Sequence, residues 1–291
     1  MSADINIVTT VSAWPEALEA QRYLLDKYSE ESFNFIAVID TSPIPNPWNL
    51  WDSKLRKTAE KIAQVFCHEV FMMPEELHFD RKKIFPETKA LKSKYSNERA
   101  ADALQLVFER KILNSSIPTL IIDSDMFPIS RFSLRKSLVS KPIRGVIQER
   151  KGRFGQEAKY YWNGLLMLDP PRLRYLEDFS FDCGKVGRLK VDTGGQSHWW
   201  IKKIEEMGLG ETLGYIKHHS SLNWHINDFE GIIPDAIKEF ILSDDRNDAG
   251  KIYSEIYDQH FLHFRAGSNW REESALVVKE RNRKFIESCM Q

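Results

Sequence analysis

The stretch Thr119-Leu120-Ile121-Ile122-Asp123-Ser124-Asp125 changes abruptly from apolar to acidic residues near the middle of the chain. Its first four residues are typical of a buried strand, and two aspartates follow directly. Residues two apart in an extended segment project to the same side, so both carboxylates can converge on one cation. Carboxylate oxygens suit Mg²⁺, Mn²⁺ or Ca²⁺, and a divalent ion here could bridge two phosphates.

The spacing of the two acids is weak evidence by itself, because about one Asp-x-Asp is expected by chance at this acidic content. A solvated turn after a strand is the alternative. The flanking residues favour a binding site. Met126-Phe127-Pro128-Ile129 follows the acids, so both lie at the end of a buried strand rather than on a free loop. Unpaired acids are costly there unless a cation or hydrogen bonds satisfy them.

The elements upstream of this strand predict the fold class. Strand patterns at Ile5–Val11, Phe33–Ile39 and 69–73 alternate with helical patterns at 14–28, 51–66 and 97–113. This alternation predicts an α/β fold with a parallel sheet and helices on both faces. Ligands of such sheets bind at the carboxyl ends of the strands, where Thr9 to Ser12, Asp40 and Asp123 all fall.

The downstream half of the chain is less regular. Strands are expected at 144–148, 160–169 and 261–264, and helices at 192–207 and 272–289. The polar segment 151–159, which holds two glycines, is expected to be mobile.

Composition excludes several classes of protein. The 291 residues carry 41 basic and 42 acidic side chains, and this balance argues against a general nucleic-acid binder. Cys67, Cys183 and Cys289 are odd in number and far apart, which is typical of reduced thiols in a cytosolic protein. No run approaches the roughly 18 apolar residues of a membrane span, and no signal peptide is recognised. The expected location is the cytoplasm, and the oligomeric state stays open.

In this context the acidic pair resembles the metal and diphosphate motif of the GT-A glycosyltransferases. Three later segments resemble that family in the expected order. Residues 161–168 resemble the Phe-Asn-x-Gly-hydrophobic strand of the glycogenin and bacterial galactosyltransferase families, and residues 192–197 resemble their acidic, Gln-containing helix start near the sugar. Residues 263–270 resemble their C-terminal His-aromatic-Gly-Trp segment, with Ser268 and Asn269 where those families carry Lys and Pro.

The resemblance implies a GT-A fold, in which a Rossmann-like central mixed sheet is flanked by helices. It implies one domain over residues 1–291, with a nucleotide-binding half at 1–125, a sugar and acceptor half at 126–270 and a C-terminal helix at 271–291. The implied reaction moves a sugar from a nucleotide diphosphate donor, such as a UDP- or GDP-sugar, to an unknown glycan, lipid-linked or other acceptor. The cofactor would be Mn²⁺ or Mg²⁺, and the resemblance leans to retention of anomeric configuration.

The resemblance also implies roles for individual residues. Asp123, Asp125 and His263 are the expected metal ligands, and an imidazole beside two carboxylates favours Mn²⁺ over Ca²⁺. The expected catalytic residues are Asp192, Gln196 and Asn163, although Asp192 suits a helix cap or turn equally well. Contacts with the nucleotide-sugar are expected from Thr9, Val11, Ser12, Asp40, Arg99, Asp123, Ser124, Asp125, Gly164, Gly195, Gly267 and Trp270.

Several of these contacts are specific expectations. Thr9, Val11 and Ser12 would face the base and ribose, and Asp40 would accept a hydrogen bond from one of them. Arg99 would pair with Asp123 or a phosphate, or else be a solvated surface residue. Asn163 and Gly164 would lie on the sugar side, where a glycine permits close ligand approach or marks a bulge.

Two other functions stay open on the sequence. A nucleotidyltransferase of related fold would make nucleotide-sugars, but it usually has a glycine-rich loop after the first strand, and Val11-Ser12-Ala13-Trp14-Pro15 has no glycine. A non-catalytic carbohydrate- or Ca²⁺-binding protein would need neither His263 nor a nucleotide pocket at the strand ends.

Overall fold

The computed structural model describes residues 3–40, 53–74, 96–153, 155–265 and 275–291. Its central sheet has seven strands, namely β1 (Ile5–Val11), β2 (Phe33–Ile39), β3 (Glu69–Met72), β4 (Thr119–Ile122), β6 (Ile143–Lys151), β7 (Glu157–Leu168) and β10 (Leu213–Tyr215). Their order across the sheet is β10-β6-β7-β4-β1-β2-β3.

Strand direction makes this a mixed sheet. β1 runs parallel to both β2 and β4, β2 runs parallel to β3, and β7 lies antiparallel between β4 and β6. The carboxyl ends of β1, β2 and β4 therefore meet at one edge of the sheet. Asp40 leaves the sheet at this edge from β2, and Asp123 leaves it from β4.

The helices are α1 (Ala17–Tyr28), α2 (Ser53–Phe66), α3 (Ser96–Val107), α4 (Leu134–Leu138), α5 (Ser197–Glu206), α6 (Asp235–Leu242) and α7 (Ala275–Cys289). Helices α1, α2 and α4 cover one face of the central sheet, while α3 and α5 cover the other. Successive strand residues point to opposite faces, so Ile122 packs in the first layer and Ile121 in the second. The predicted α/β class, with a central mixed sheet flanked by helices, is confirmed.

A second, antiparallel sheet lies beside the acidic pair. Its strands are β5 (Met126–Pro128), β11 (His218–His219), β12 (Glu255–Tyr257) and β13 (Phe261–His263), in the order β11-β12-β13-β5. A hydrophobic cluster joins this sheet to α1, α6 and α7. Because β5 starts directly after Asp125, the register of the small sheet decides which side chains meet the acids.

The structure differs from the predicted elements in two places. Segment 151–159, expected to be mobile, closes a long hairpin in which Lys151 pairs with Glu157. Gly152 and Gly155 lie between the two strands, as the glycine signal predicts, while Ala158 and Tyr160 of β7 pack against a two-stranded hairpin, β8 (Gly184–Val186) and β9 (Leu189–Val191). The helix predicted over 97–113 changes at Phe108–Ile112 into a π-helical turn. Among the described helices, none is both long and apolar enough to span a membrane.

Candidate functional site

The turn that carries the acidic pair is held by hydrogen bonds from two elements. The Asp123 N–H donates to the Gly164 carbonyl on β7 at 3.0 Å. The buried Gln21 side chain on α1 donates to the carbonyls of Asp123, at 2.9 Å, and Met126, at 3.0 Å. The N–H of the buried Ser124 donates to Asp123 Oδ1 at 2.9 Å. The turn is therefore fixed on both sides rather than exposed as a free loop.

A row of polar side chains extends from Asp125 into the small sheet. Asp125 Oδ1 lies 3.1 Å from His263 Nε2, and His263 Nδ1 lies 2.8 Å from Glu255 Oε2. The register explains this order, because Glu255 is the cross-strand partner of His263 and His263 is that of Met126. All three polar side chains are at least four-fifths buried.

The charges of this row shift the pKa values of its members. Burial and the nearby Asp125 raise the pKa of Asp123 to about 6, and the charge of Asp192 adds to the shift. Burial opposes protonation of His263, but the charges of Asp125 and Glu255 and its hydrogen bonds to both raise its pKa to about 10. Burial would raise the pKa of Glu255, yet the hydrogen bond and charge of His263 bring it down to about 2. Negative charge is thus concentrated at this edge of the sheet.

The side chains at this edge provide some of the ligands that a divalent cation needs. Two neighbouring ligands of an octahedral ion with bonds of about 2.1 Å lie roughly 3 Å apart, which matches the Asp125 to His263 separation of 3.1 Å. Within the described ranges, no group of three His, Cys, Asp or Glu side chains is arranged to hold a metal ion. The structure therefore brings together Asp125 and His263, with Asp123 beside them but outside that pair. Ions such as Mg²⁺ often take their remaining ligands from substrate phosphates and water.

Gly164 lies directly against the indole ring of Trp162. A Cβ at this position would overlap the ring of Trp162, which lies on the same side of β7. The ring of Trp162 stacks on Tyr257 with 5.4 Å between centroids, and it lies 5.4 Å from the His263 ring. A ligand contact at Gly164 stays a prediction, while the register shift between β6 and β7 at this segment agrees with the alternative of a bulge. The glycine affects the site indirectly, because it allows the Trp162 ring to pack beside His263.

A glycine turn brings the expected sugar-side loop against β7. Gly194 has a φ of +84°, and a Cβ there would overlap the Tyr161 carbonyl. Ser197 Oγ accepts a hydrogen bond from the Tyr161 N–H at 3.0 Å and donates to the Gly194 carbonyl at 2.6 Å. The loop therefore lies against the strand segment that carries the buried Asn163.

Within this loop, Asp192 is a turn residue, and its role beside the sugar stays a prediction. Its Oδ1 accepts from the Thr193 N–H at 2.9 Å, as a turn residue does, and its charge also acts on Asp123. The Gln196 side chain donates to the Lys185 carbonyl of β8 at 3.2 Å. A Cβ on Gly195 would overlap Val191, so this glycine serves the turn.

The residues expected on the nucleotide side are placed as follows. Arg99 makes a bidentate ion pair with Asp40, at 2.6 and 2.8 Å, instead of the expected pairing with Asp123. Both side chains of this pair are almost completely buried, so Arg99 is not a solvated surface residue. The side chains of Thr9 and Val11 are buried, the Val11 carbonyl accepts a hydrogen bond from the Asp40 N–H at 2.9 Å, and Ser12 is half-buried. Gly267 and Trp270 lie outside the described residues.

Sequence reasoning missed Gln21, Glu255 and Tyr257. Gln21 looks like any polar helix residue, and only the structure reveals that it crosses to the acidic turn. Glu255 and Tyr257 alternate in a strand of three residues, which is too short to be recognised by its pattern. The Tyr257 hydroxyl donates to Glu255 Oε2 at 2.7 Å, so both belong to the polar row.

Comparison with known proteins gives matches only among solved structures. No family model and no curated protein sequence matches the chain. A mannosyltransferase from Pyrobaculum calidifontis, solved in complex with GDP-Man and Mn²⁺, is 10% identical over 74% of this chain and 57% of that one, with a TM-score of 0.41. The mannosyltransferase Ktr4p from S. cerevisiae is 7% identical over 61% of this chain and 59% of that one, with a TM-score of 0.38.

A third solved structure is mouse xyloside xylosyltransferase 1 in its apo form. It is 11% identical over 74% of this chain and 85% of that one, with a TM-score of 0.36. The chain spans less than two thirds of the length of both mannosyltransferases. At these TM-scores the likenesses are distant, and the chemistry of the site has to be derived from its own residues.

Proposed function

We propose that the chain is a glycosyltransferase that moves a sugar from a nucleoside diphosphate donor to an acceptor, with help from a divalent cation. The observation that carries the proposal is the Asp125 to His263 contact of 3.1 Å beside Asp123, at the carboxyl edge of β4. Carboxylate oxygens suit Mn²⁺ or Mg²⁺, and the imidazole favours Mn²⁺ of the two. The ion would neutralise the diphosphate as it leaves the sugar.

The negative charge of the site would repel an anionic ligand unless a cation binds together with it. Burial, together with the charges of Asp125 and Asp192, raises the pKa of Asp123 to about 6. A diphosphate brought here alone would meet these carboxylates and be repelled. Asp125 and His263 would hold the cation, and Asp123 would bind a water of that ion or the ribose.

The nucleotide would lie along the carboxyl ends of β1 and β2. Parallel sheets bind ligands at this edge, and Asp40 lies there, directly after β2. The Arg99 guanidinium holds the Asp40 carboxylate in one orientation through two hydrogen bonds. Ser12, directly after β1, would face the base and ribose.

The sugar would lie towards Asn163 and Asp192, with Gln196 at the margin. The Asp192 carboxylate is the candidate group near the reacting carbon, since its charge reaches the acidic pair. In an inverting reaction it would take the proton of the acceptor hydroxyl. In a retaining reaction, towards which the sequence leans, it would stabilise positive charge that develops on the sugar.

The nucleotidyltransferase alternative is less well supported. Such an enzyme needs a phosphate-binding loop after β1, but Trp14 of this segment is buried against Phe127 and Phe264 at 5.9 Å each. A loop anchored in the core in this way is not free to wrap a triphosphate. A carbohydrate- or Ca²⁺-binding protein without turnover would not need the His263 imidazole beside Asp125.

The proposal is tested by a screen of nucleotide-sugars. Thermal unfolding and sugar release are measured with UDP-, GDP-, ADP- and CMP-sugars, each with Mn²⁺ and with EDTA. We expect donors of one nucleotide to raise the unfolding temperature and to release free sugar slowly, in Mn²⁺ only. Pyrophosphate release from a nucleoside triphosphate and a sugar phosphate would favour the nucleotidyltransferase instead. If no nucleotide or nucleotide-sugar stabilises the protein in Mn²⁺, the proposed function is wrong.

A further inference from the structure

The polar row continues past His263 to a carboxylate that has no role in the proposed reaction. Glu255 Oε2 lies 2.8 Å from His263 Nδ1, on the side of the ring away from Asp125. The Tyr257 hydroxyl donates to the same oxygen at 2.7 Å, and the Ser221 N–H donates to Oε1 at 3.3 Å. Glu255 is therefore held from three directions, and only 14% of its side chain is exposed.

We infer that Glu255 is a positioning residue that fixes the His263 ring with Nε2 directed at the cation. The inference rests on the proposed function. A histidine that binds a metal through one nitrogen usually donates its other N–H to a carboxylate, which sets the ring orientation and makes the imidazole a stronger ligand. Glu255 is placed for this by the antiparallel register, which makes it the direct partner of His263 between β12 and β13.

The aromatic neighbours of His263 are not sufficient to orient its ring. Trp162 and Tyr257 lie 5.4 and 6.1 Å from the ring centroid and limit its sideways movement. A half-turn about the Cβ–Cγ bond, however, exchanges Nδ1 with Cδ2 and Nε2 with Cε1 and leaves the shape of the ring nearly unchanged. Packing alone barely distinguishes these two orientations. The contacts of the ring with Glu255 and with Asp125 exist in only one of them. When a cation takes the place of the Asp125 contact, the hydrogen bond to Glu255 is the one that selects the orientation that presents Nε2.

Tyr257 supports the same arrangement from the other side of the carboxylate. Its hydroxyl fixes Glu255, while its ring stacks between Trp162 and His218, at centroid distances of 5.4 and 5.5 Å. Replacement of Tyr257 by Phe would keep these stacks and remove only the hydrogen bond to Glu255. This variant therefore separates the orientation of the carboxylate from the packing of the sheet.

The experiment measures Mn²⁺ binding without any donor. Free Mn²⁺ is followed by electron paramagnetic resonance during titration of wild type, Glu255→Gln, Glu255→Ala, Tyr257→Phe and the exposed control Glu206→Gln on α5. Coupling of bound Mn²⁺ to the imidazole nitrogen is read by electron spin echo modulation. Circular dichroism and thermal unfolding check that each variant folds.

We expect Glu255→Ala to weaken Mn²⁺ binding by about 10–100-fold and to reduce the nitrogen coupling. Glu255→Gln, whose amide oxygen can still accept from Nδ1–H, should weaken binding less and keep the coupling. Tyr257→Phe should have a smaller effect in the same direction, and Glu206→Gln should have none. If Glu255→Ala does not fold, the other proteins still test the inference, because Mn²⁺ affinity should fall in the order wild type, Tyr257→Phe, Glu255→Gln.

Two results would overturn the inference, and they are distinguishable. Wild-type protein that binds Mn²⁺ with a nitrogen coupling, together with folded Glu255 variants of equal affinity and coupling, would leave the proposed function intact and remove Glu255 from it. Wild-type protein that binds no Mn²⁺ would contradict the metal site of the proposed function and the inference with it.

Discussion

Asp125 Oδ1 and His263 Nε2 lie 3.1 Å apart, although 138 positions separate the two residues in the chain. The contact arises where the small sheet meets the central sheet. Met126 pairs with His263 across β5 and β13, and the Phe264 N–H donates to the Asp125 carbonyl at 2.8 Å. The site therefore depends on correct docking of the two sheets, and substitutions at that junction should disturb both stability and metal binding.

Gly164→Ala should damage the site through Trp162. The added Cβ would overlap the indole, which must move from its place beside His263. We expect the free energy of unfolding to fall by about 1–3 kcal/mol and Mn²⁺ binding to weaken, because overpacking forces neighbouring side chains from their positions. The control is Gly210→Ala, whose Cβ would approach no atom closer than 3.7 Å. Urea unfolding that gives the same result for both variants would contradict this account of Trp162.

Asp123→Asn should stabilise the protein when no metal is bound. The pKa of Asp123 in the folded chain, about 6, lies above its ordinary value of about 3.9. The folded state therefore holds more protons between about pH 4 and pH 6, and its stability falls as pH rises through this window. The penalty is fully present above about pH 6 and absent below about pH 4.

The asparagine keeps the hydrogen bond from the Ser124 N–H and removes the charge. At about pH 7.5 in EDTA we expect a gain of about 1–2 kcal/mol in the free energy of unfolding, less than the full shift implies because Asp123 is only half-buried. The gain should vanish below about pH 4. Denaturant unfolding in which the variant is no more stable than wild type at about pH 7.5 would show that the charge of Asp123 is not penalised.

Arg99→Ala should be strongly destabilising, because it leaves the Asp40 carboxylate buried without its guanidinium. The side chains of the pair are 4% and 5% exposed. Breaking such a pair from one side lowers the free energy of unfolding by about 3–5 kcal/mol. The matched control is Arg135→Ala, which breaks an ion pair with Asp4 in which both side chains are half exposed and should change stability by less than about 1 kcal/mol. Equal losses in urea unfolding would contradict the importance of the buried pair.

The central strands could be predicted from the sequence because their signal is local. β1, β2 and β4 are short runs rich in β-branched and other apolar residues, and buried parallel strands have this composition. Their boundaries match the prediction. Asp123 and Asp125 could be found for the same reason, since they directly follow such a run.

Of the small sheet only β13 could be predicted, as the strand expected at 261–264, and Glu255 was missed with the other strands. Its strands have two or three residues each, and they are stabilised by pairing with distant segments rather than by a local pattern. Only the register reveals that Glu255 faces His263. In the long β6–β7 hairpin, Gly152 and Gly155 lie between the strands as predicted, but cross-strand pairing extends the strands to Lys151 and Glu157 within the polar segment.

The central claim is that Asp125 and His263 hold a cation through which the donor diphosphate binds. It is tested by calorimetric titration of UDP and of GDP into wild type, Asp125→Asn and the exposed control Asp26→Asn, each in Mn²⁺ and in EDTA. We predict that Mn²⁺ tightens binding of one nucleotide by about tenfold or more in wild type and in the control, and not in Asp125→Asn. The same Mn²⁺-dependent tightening in Asp125→Asn, or wild-type binding that EDTA does not change, would contradict the account.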